Sequence, residues 1–399
     1  MGNEIPERLK IVVYAIAQNE KKFVDRWMDS MKEADEIVVL DTGSTDGTPD
    51  ALNKRGAKVS KASFVKWRNL QDYDMIVKSG KNPWRFDTSR NMSIDICPPD
   101  ADVLVCTDLD EILLPGWRAK LEAAWLGYWR EHGEPPTTAQ YEYVWNFKPD
   151  GSDGTKFLYE KVHLPGTAKW AHPVHEILDY GNLKKRMVRV DGMRLEHHAD
   201  PTKSRGQYLP LLEMSVREDP EDDRNTHYLG REYMFVRRWT DAIATLKKHL
   251  DLPRARWRAE RAASMRFIAR CEGMLGHEQE RELWHWKATA EAPEHREAAL
   301  ELAELYQARA SKTGKRSDWS LTARAAEICT SRKTRVMSYL TRPDAWGAWP
   351  HELYAIALWY SGDKAAAAKA HAEAKAINPD DPIVKGNDRW FCPADGVGG

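Results

Sequence analysis

Runs able to form buried strands are confined to about the first half of this 399-residue chain, and the remainder is patterned for helices alone. One core cannot serve both textures, so the chain is expected to hold an α/β part followed by an all-α part. Ile11 to Ala17 reads IVVYAIA, too short for a helix and β-branched at its start, which predicts a buried strand. Val24, Trp27, Met28 and Met31 then fall at helical spacing on one face. Ile37 to Leu40 predicts a second strand ending at Asp41, and Asp102 to Thr107 a third, followed by Asp108, Leu109, Asp110 and Glu111. Between them, DTGSTDGT is turn and cap chemistry, with Thr48 expected as the helix cap and Pro49 as the first helical residue. Strands alternating with helices at this spacing imply a largely parallel sheet.

From Tyr128 to His198 the pattern shifts. Tyr141, Tyr143, Trp145 and Phe147 alternate along one expected strand face, read as core packing rather than as a sugar-stacking platform. The turn-rich PDGSDG and then KFLYEKVHL predict a hairpin, and a further strand is expected from Met187 to about His197. From about Tyr208 onward strand signals vanish. Leu229, Gly230, Tyr233, Ala242, Leu246 and Pro253 follow the tetratricopeptide pattern, with Pro253 one position early, and Gly362, Ala367, Ala374 and Pro379 match its later positions. Gly230 and Ala355 are equivalent in that register, and at ~34 residues per repeat the interval has room for about two degenerate units. The expected domains are therefore 1–205 and 206–399.

Composition narrows the function. With 60 Lys+Arg against 61 Asp+Glu, the net charge of −1 argues against a general nucleic-acid binder. No apolar run approaches the ~20 residues of a membrane span. The opening MGNEIPERLK lacks the apolar core of a secretory signal, and Pro6 spoils a myristoylation site. The five cysteines (Cys97, Cys106, Cys271, Cys329, Cys392) form no CxxC pair, which excludes zinc ribbons and points to a reduced, cytoplasmic compartment.

In open parallel sheets, ligands bind beyond the carboxyl ends of the strands. Here the first expected strand ends in Ala17, Gln18, Asn19 and Glu20, the second in Asp41 to Ser44, and the third in Asp108 and Asp110. Side by side, these tips make one acidic, hydrogen-bonding rim. Asp41 suits a base N–H or a ribose hydroxyl, and Asp108 and Asp110 offer hard oxygens to Mg²⁺ or Mn²⁺ on a substrate diphosphate. Arg90, in FDTSRN, is expected to add a cationic fork to that phosphate.

IVVYAIAQNE, VVLDTGSTDGT, DTSRN and VLVCTDLDE together resemble the family 2 glycosyltransferases of the GT-A fold, closely over about residues 10–115 and loosely to about 200. The resemblance implies inverting transfer of a sugar from a nucleotide diphosphate, most often UDP, assisted by a divalent metal. It implies that Ala17, Asn19, Glu20, Asp41, Ser44, Arg90 and Asp108 bind the nucleotide sugar and that Asp110 takes the metal. KWAHPVHEIL resembles a segment of tandem-repeat-bearing members, which makes Glu176 the expected general base. His172-Pro-Val-His175-Glu176 is not a zinc-protease motif. After the last strand, His197 or His198 is a candidate metal or diphosphate contact, and a strand sends such neighbours to opposite faces. His163 and His172 are weaker candidates, and Lys161 is left without a role.

The expected activity is thus that of a hexosyltransferase-type enzyme acting on a glycan, a peptide or a modified nucleobase, with helical repeats that hold the acceptor or a protein partner. The alternative is a non-catalytic repeat scaffold with a silent transferase-like domain. A nucleotidyltransferase would want a glycine-rich loop after the first strand, and AIAQNEKKF has no glycine. Trp284, Trp286, Trp346 and Trp349 are read as plugs between irregular helices.

Overall fold

The computed structural model describes residues 4–201 and 206–391. The chain forms two compact units, Met1–Glu218 and Asp219–Gly399. The boundary expected at 205 falls on the edge of the segment outside the described residues, as does Cys392.

The first unit opens with β1 (Ile11–Ala17), α1 (Val24–Met31), β2 (Glu36–Asp41), α2 (Thr48–Lys54) and β3 (Lys58–Lys61). Next come α3 (Leu70–Lys78), α4 (Phe86–Asp95), β4 (Val103–Cys106), β5 (Glu111–Leu113) and α5 (Trp117–His132). It closes with β6 (Thr138–Val144), β7 (Lys156–His163), β8 (Lys169–Ala171), β9 (Ile177–Asp179), β10 (Met187–His197) and α6 (Tyr208–Glu218).

Eight strands form one sheet in the order β3-β2-β1-β4-β7-β6-β10-β5, and β8-β9 is a separate ribbon. β3, β2, β1 and β4 run parallel, with Ala17 beside Asp41 and Tyr14 beside Cys106. β1 is buried on both faces, as its unbroken apolar run requires. The face of α1 that buries is Val24, Trp27, Met28 and Met31, the set read from the spacing. β6 and β7 form the expected antiparallel hairpin.

Two local readings change. The cap of α2 is Gly47 (φ +85°), not Thr48, whose hydroxyl instead donates to Asp46 and accepts the Glu20 N–H. A left-handed backbone there favours glycine. The aromatic stripe also divides, because β6 ends at Val144. Tyr141 and Tyr143 lie in the core, whereas Trp145 is 46% exposed and Phe147 is half-buried.

The second unit is a run of helices: α7 (Asp223–Phe235), α8 (Trp239–Asp251), α9 (Arg258–Met274), α10 (Glu278–Glu291) and α11 (Glu297–Thr313). α12 (Arg316–Thr330), α13 (Trp349–Ser361), α14 (Lys364–Ile377) and α15 (Pro382–Phe391) complete it. α7 packs on α8, α9 on α10, α11 on α12 and α13 on α14, so two helix pairs fill the interval between the clear repeats. Gly230 marks the close crossing of α7 and α8, because a Cβ there would meet Leu246 Cγ at 2.5 Å. Trp284 is buried and Trp346 and Trp349 are partly buried against the helices, whereas Trp286, read as a plug, is 37% exposed. The indole N–H groups of Trp286, Trp346 and Trp349 donate to Tyr306, Glu297 and Glu304. Among the described residues, no helix is long and apolar enough to cross a membrane.

Candidate active site

The parallel register brings the tips of β2, β1 and β4 to the same sheet edge, since these strands are neighbours in that order. The loops after β1 and β2 are latched together. Asn19 Oδ1 accepts the Thr45 N–H at 2.7 Å, and the Asn19 N–H donates to Ser44 Oγ at 2.9 Å. Asn19 adopts a left-handed backbone (φ +55°) to do so. The Ala17 carbonyl accepts both the N–H and the hydroxyl of Thr42. Asp41, 2% exposed, accepts the N–H groups of Gly43 and Ser44. Ala17, Asn19, Asp41 and Ser44 are therefore brought together, and much of their polar capacity shapes the loop itself. Glu20 is buried, with its N–H on Thr48.

Beyond β4 the two aspartates take different environments. Asp108 lies between two buried cations, with Arg90 at 2.8 Å on Oδ1 and Lys161 at 3.0 Å on Oδ2. Burial opposes its charge, but the two cations outweigh that and hold its carboxyl far below the ordinary range. The Asp108 N–H donates to Glu111, which also accepts from Lys161 and from the Tyr143 hydroxyl, each at 2.7 Å. Burial lifts the Glu111 carboxyl above its usual value. Glu111 and Lys161 thus fix the acidic loop. Neither role was read from the sequence, although Glu111 stands inside DLDE and Lys161 on the inner face of the hairpin.

Asp110 faces the other way. His197 Nε2 stands 3.5 Å from Asp110 Oδ2, while His197 Nδ1 bonds the Trp145 carbonyl at 3.0 Å. A carbonyl only accepts, so Nδ1 carries a proton and Nε2 is the nitrogen turned to Asp110. Burial disfavours the imidazolium, yet Asp110 more than offsets this and raises the His197 pKa. His198 uses its N–H on the Asp110 carbonyl and points its ring to Glu196 and Phe147. Of the two histidines, His197 is the one that meets Asp110. An imidazole oriented through its second nitrogen beside a carboxylate is the usual form of a metal-binding pair, so these two residues fit a divalent cation. The carboxylate of Asp108 is occupied by its two cations.

Arg90, on α4, is 4% exposed. Its Nε donates to Glu176 at 2.5 Å, its terminal nitrogens to Asp108 at 2.8 Å and Cys106 at 3.2 Å, and Trp170 lies under the guanidinium. Expected to reach out to phosphate, Arg90 instead has its nitrogens on the chain's own groups. Glu176 directly precedes β9, in a turn where His172 and His175 both have positive φ (77° and 52°). Such strain persists only where the surroundings impose it. Asn91 clamps the ribbon by exchanging two hydrogen bonds with the Trp170 backbone, and the Pro173 carbonyl accepts the Phe86 N–H. His163 is a core residue, bonded to Tyr14 at 2.8 Å and pushed down to about 4 by burial.

Next to His197, a cleft of about 400 Å³ is lined by Phe23, Arg26, Trp145, Phe147 and His198, among others. Trp145 stacks on His197 with ring centres 4.5 Å apart. The tryptophan and phenylalanine that leave the β6 stripe thus form a wall of this cleft.

Residues 12–130 match the family model described as Glycosyl transferase family 2. This segment contains all three parallel strand tips and both aspartates of the DLDE loop. Over this segment the chain is similar to the family 2 glycosyl transferases. No curated protein matches the chain. Solved structures resemble part of it weakly. MamA is 16% identical with a TM-score of 0.32, covering 48% of this chain and 87% of its own. PilF of Pseudomonas aeruginosa is 12% identical with a TM-score of 0.33, covering 44% and 70%. YrrB, described as a TPR protein with an unusual peptide-binding site, is 11% identical with a TM-score of 0.30, covering 46% and 82%. Glu176 and His197 of this chain lie beyond the family-matched residues, and only the three-dimensional arrangement links them to the transferase segment.

Proposed function

We propose that the first unit is an inverting glycosyltransferase that moves a sugar from a nucleotide diphosphate, with UDP-sugars favoured, to an acceptor hydroxyl. The observation that carries this reading is the convergence on one sheet edge of Asp41, Asp108 and Asp110, with His197 on Asp110 and Glu176 tied to Asp108 through Arg90. In this reading Asp41, held by its loop amides, accepts from the base or ribose, with Ala17, Asn19, Glu20 and Ser44 shaping that pocket. Asp110 and His197 hold Mg²⁺ or Mn²⁺, which when bound supplies positive charge to a departing diphosphate.

Glu176 acts as the general base. Arg90 engages Oε1, so Oε2 is the oxygen assigned to the acceptor proton. As the acceptor oxygen bonds to the anomeric carbon, the bond from that carbon to the diphosphate oxygen breaks on the opposite face. Arg90 serves as a positioning residue that keeps Glu176 and Asp108 in register, in place of the phosphate fork expected from the sequence. The Trp145–Phe147 cleft receives the acceptor, whose apolar ring faces suit stacking on aromatics. The helical unit is assigned to holding the acceptor or a protein partner.

The test is a donor-hydrolysis screen across UDP-, GDP- and CDP-sugars with Mn²⁺ or Mg²⁺. Turnover of one donor class, lost in Glu176→Gln, supports the reading. Absence of turnover together with absence of donor binding favours the silent scaffold.

A further inference from the structure

The helical unit contains a second group of metal-ligating side chains, far in sequence from the acidic loop. Asp223 opens α7, His249 lies in the last turn of α8 and Glu260 in the first turn of α9. One ligand atom from each lies within 4.8 Å of the other two. His249 is wholly buried and Glu260 is 3% exposed, while Asp223 is half-buried. Removing a histidine and a carboxylate from water this completely calls for a partner that balances them.

The surroundings orient both buried ligands. Ser264 Oγ lies 2.9 Å from His249 Nδ1 and 2.7 Å from His227 Nδ1. A hydroxyl has one proton, so Ser264 donates to one imidazole and accepts from the other. Where Ser264 donates to His227, His249 carries its proton on Nδ1 and presents a bare Nε2 lone pair; where it donates to His249, Nε2 carries the proton toward Glu260. That nitrogen has no hydrogen-bond partner among the described residues and lies 3.6 Å from Glu260 Oε1. Tyr339 donates its hydroxyl to the other Glu260 oxygen at 2.5 Å, which aims Oε1 at the histidine. In the first tautomer that lone pair and Glu260 Oε1 can share one cation, whereas in the second the N–H faces the carboxylate directly. Second-sphere bonds of this kind, one to the histidine and one to the carboxylate, are what protein metal sites use to orient their ligands.

We infer that the helical unit binds one transition-metal ion of the Zn²⁺ class between Asp223, His249 and Glu260, joining the ends of α7, α8 and α9. Nitrogen with two carboxylates suits Zn²⁺ better than Ca²⁺, which prefers six or more oxygens. Ligands across one Zn²⁺ are at most about 4.2 Å apart, twice a bond of ~2.1 Å, so the group closes by less than about an ångström. The ion's role here is to fasten the first helices of the array, independently of the transferase reading.

The test uses the full chain carrying Asp110→Ala and His197→Ala, which removes the candidate cation pair of the first unit, stripped with a chelator and titrated with Zn²⁺ alone. One Zn²⁺ bound per chain, with a raised unfolding temperature, is expected. Asp223→Asn in that background should weaken binding by at least about tenfold with unchanged helical circular dichroism. His249→Gln should abolish binding, and if it does not fold, the half-buried Asp223 position carries the test. No Zn²⁺ uptake by the stripped parent, or equal affinity in Asp223→Asn, would overturn the inference and leave His249 and Glu260 as an ordinary buried ion pair.

Discussion

Arg90 and Glu176 lie 86 residues apart and share a hydrogen bond from Nε to Oε1 at 2.5 Å, while the same guanidinium holds Asp108 at 2.8 Å. A helix residue, a residue beside the ribbon and the first aspartate of the acidic loop are thereby fixed as one set. Because Arg90 is buried, it fixes Glu176, the proposed base, beside the acidic loop proposed to meet the donor.

Replacing Arg90 separates positioning from charge. Arg90→Lys keeps a cation but loses the planar fork, so it cannot hold Glu176 and Asp108 together. Donor turnover should fall by about 100-fold, with donor affinity changed far less. Arg90→Ala leaves the mostly buried Glu176 without its cation and Asp108 with Lys161 alone, and should destabilise the first unit by about 3–5 kcal/mol. Steady-state kinetics and thermal unfolding check the two outcomes. Wild-type kcat in Arg90→Lys would show that the fork is not needed.

Glu176→Gln retains the shape and an oxygen for Arg90 but cannot take a proton. Transfer should drop by about 10²–10⁴-fold while donor binding persists, as read by rates and by calorimetry. Unchanged transfer would remove Glu176 from the mechanism.

Gly230 tests the helix packing. An added methyl meets Leu246 Cγ at 2.5 Å and Cδ2 at 2.7 Å, and Leu246 is fully buried. Gly230→Ala should therefore destabilise the second unit by about 1–3 kcal/mol, although alanine favours helix. Leu246→Ala, added to it, should recover part of that loss relative to the sum of the single changes. Denaturant unfolding of the four proteins closes the cycle.

His163 gives a pH dependence of known sign. Burial keeps the His163 imidazole neutral, and with Nδ1 turned to the Leu164 carbonyl at 3.4 Å its Nε2 accepts the Tyr14 hydroxyl, whose oxygen accepts the Trp170 N–H. Burial holds the imidazole to about 4, against an unfolded value near 6.5. The unfolded chain binds the extra proton first. Stability from this group is therefore whole above about pH 6.5 and declines as pH falls toward 4, by at most on the order of 3 kcal/mol. His163→Gln should flatten that decline in unfolding measured from pH 7 to 4.

The sheet was readable because β1, β2 and β4 are apolar runs ending in polar residues, and the repeat because Leu229, Gly230, Tyr233, Ala242 and Leu246 follow the tetratricopeptide pattern across α7 and α8. The use of Arg90 was not, since its partners come from three separate elements and only their burial turns it inward. Trp145 and Phe147 were misread because alternation continues past Val144, where the strand stops. The choice of His197 over His198 depended on which one a bulged β10 turns toward Asp110. Asp223, His249 and Glu260 carry no spacing signal at all, because helix ends meet only in space.

The most direct test is calorimetric titration of UDP into the full-length protein with and without Mn²⁺, repeated in Asp110→Asn. The account predicts Mn²⁺-dependent UDP binding that falls by at least about tenfold in Asp110→Asn. UDP binding that is indifferent to Mn²⁺ and to Asp110, or no binding in any condition, would contradict it.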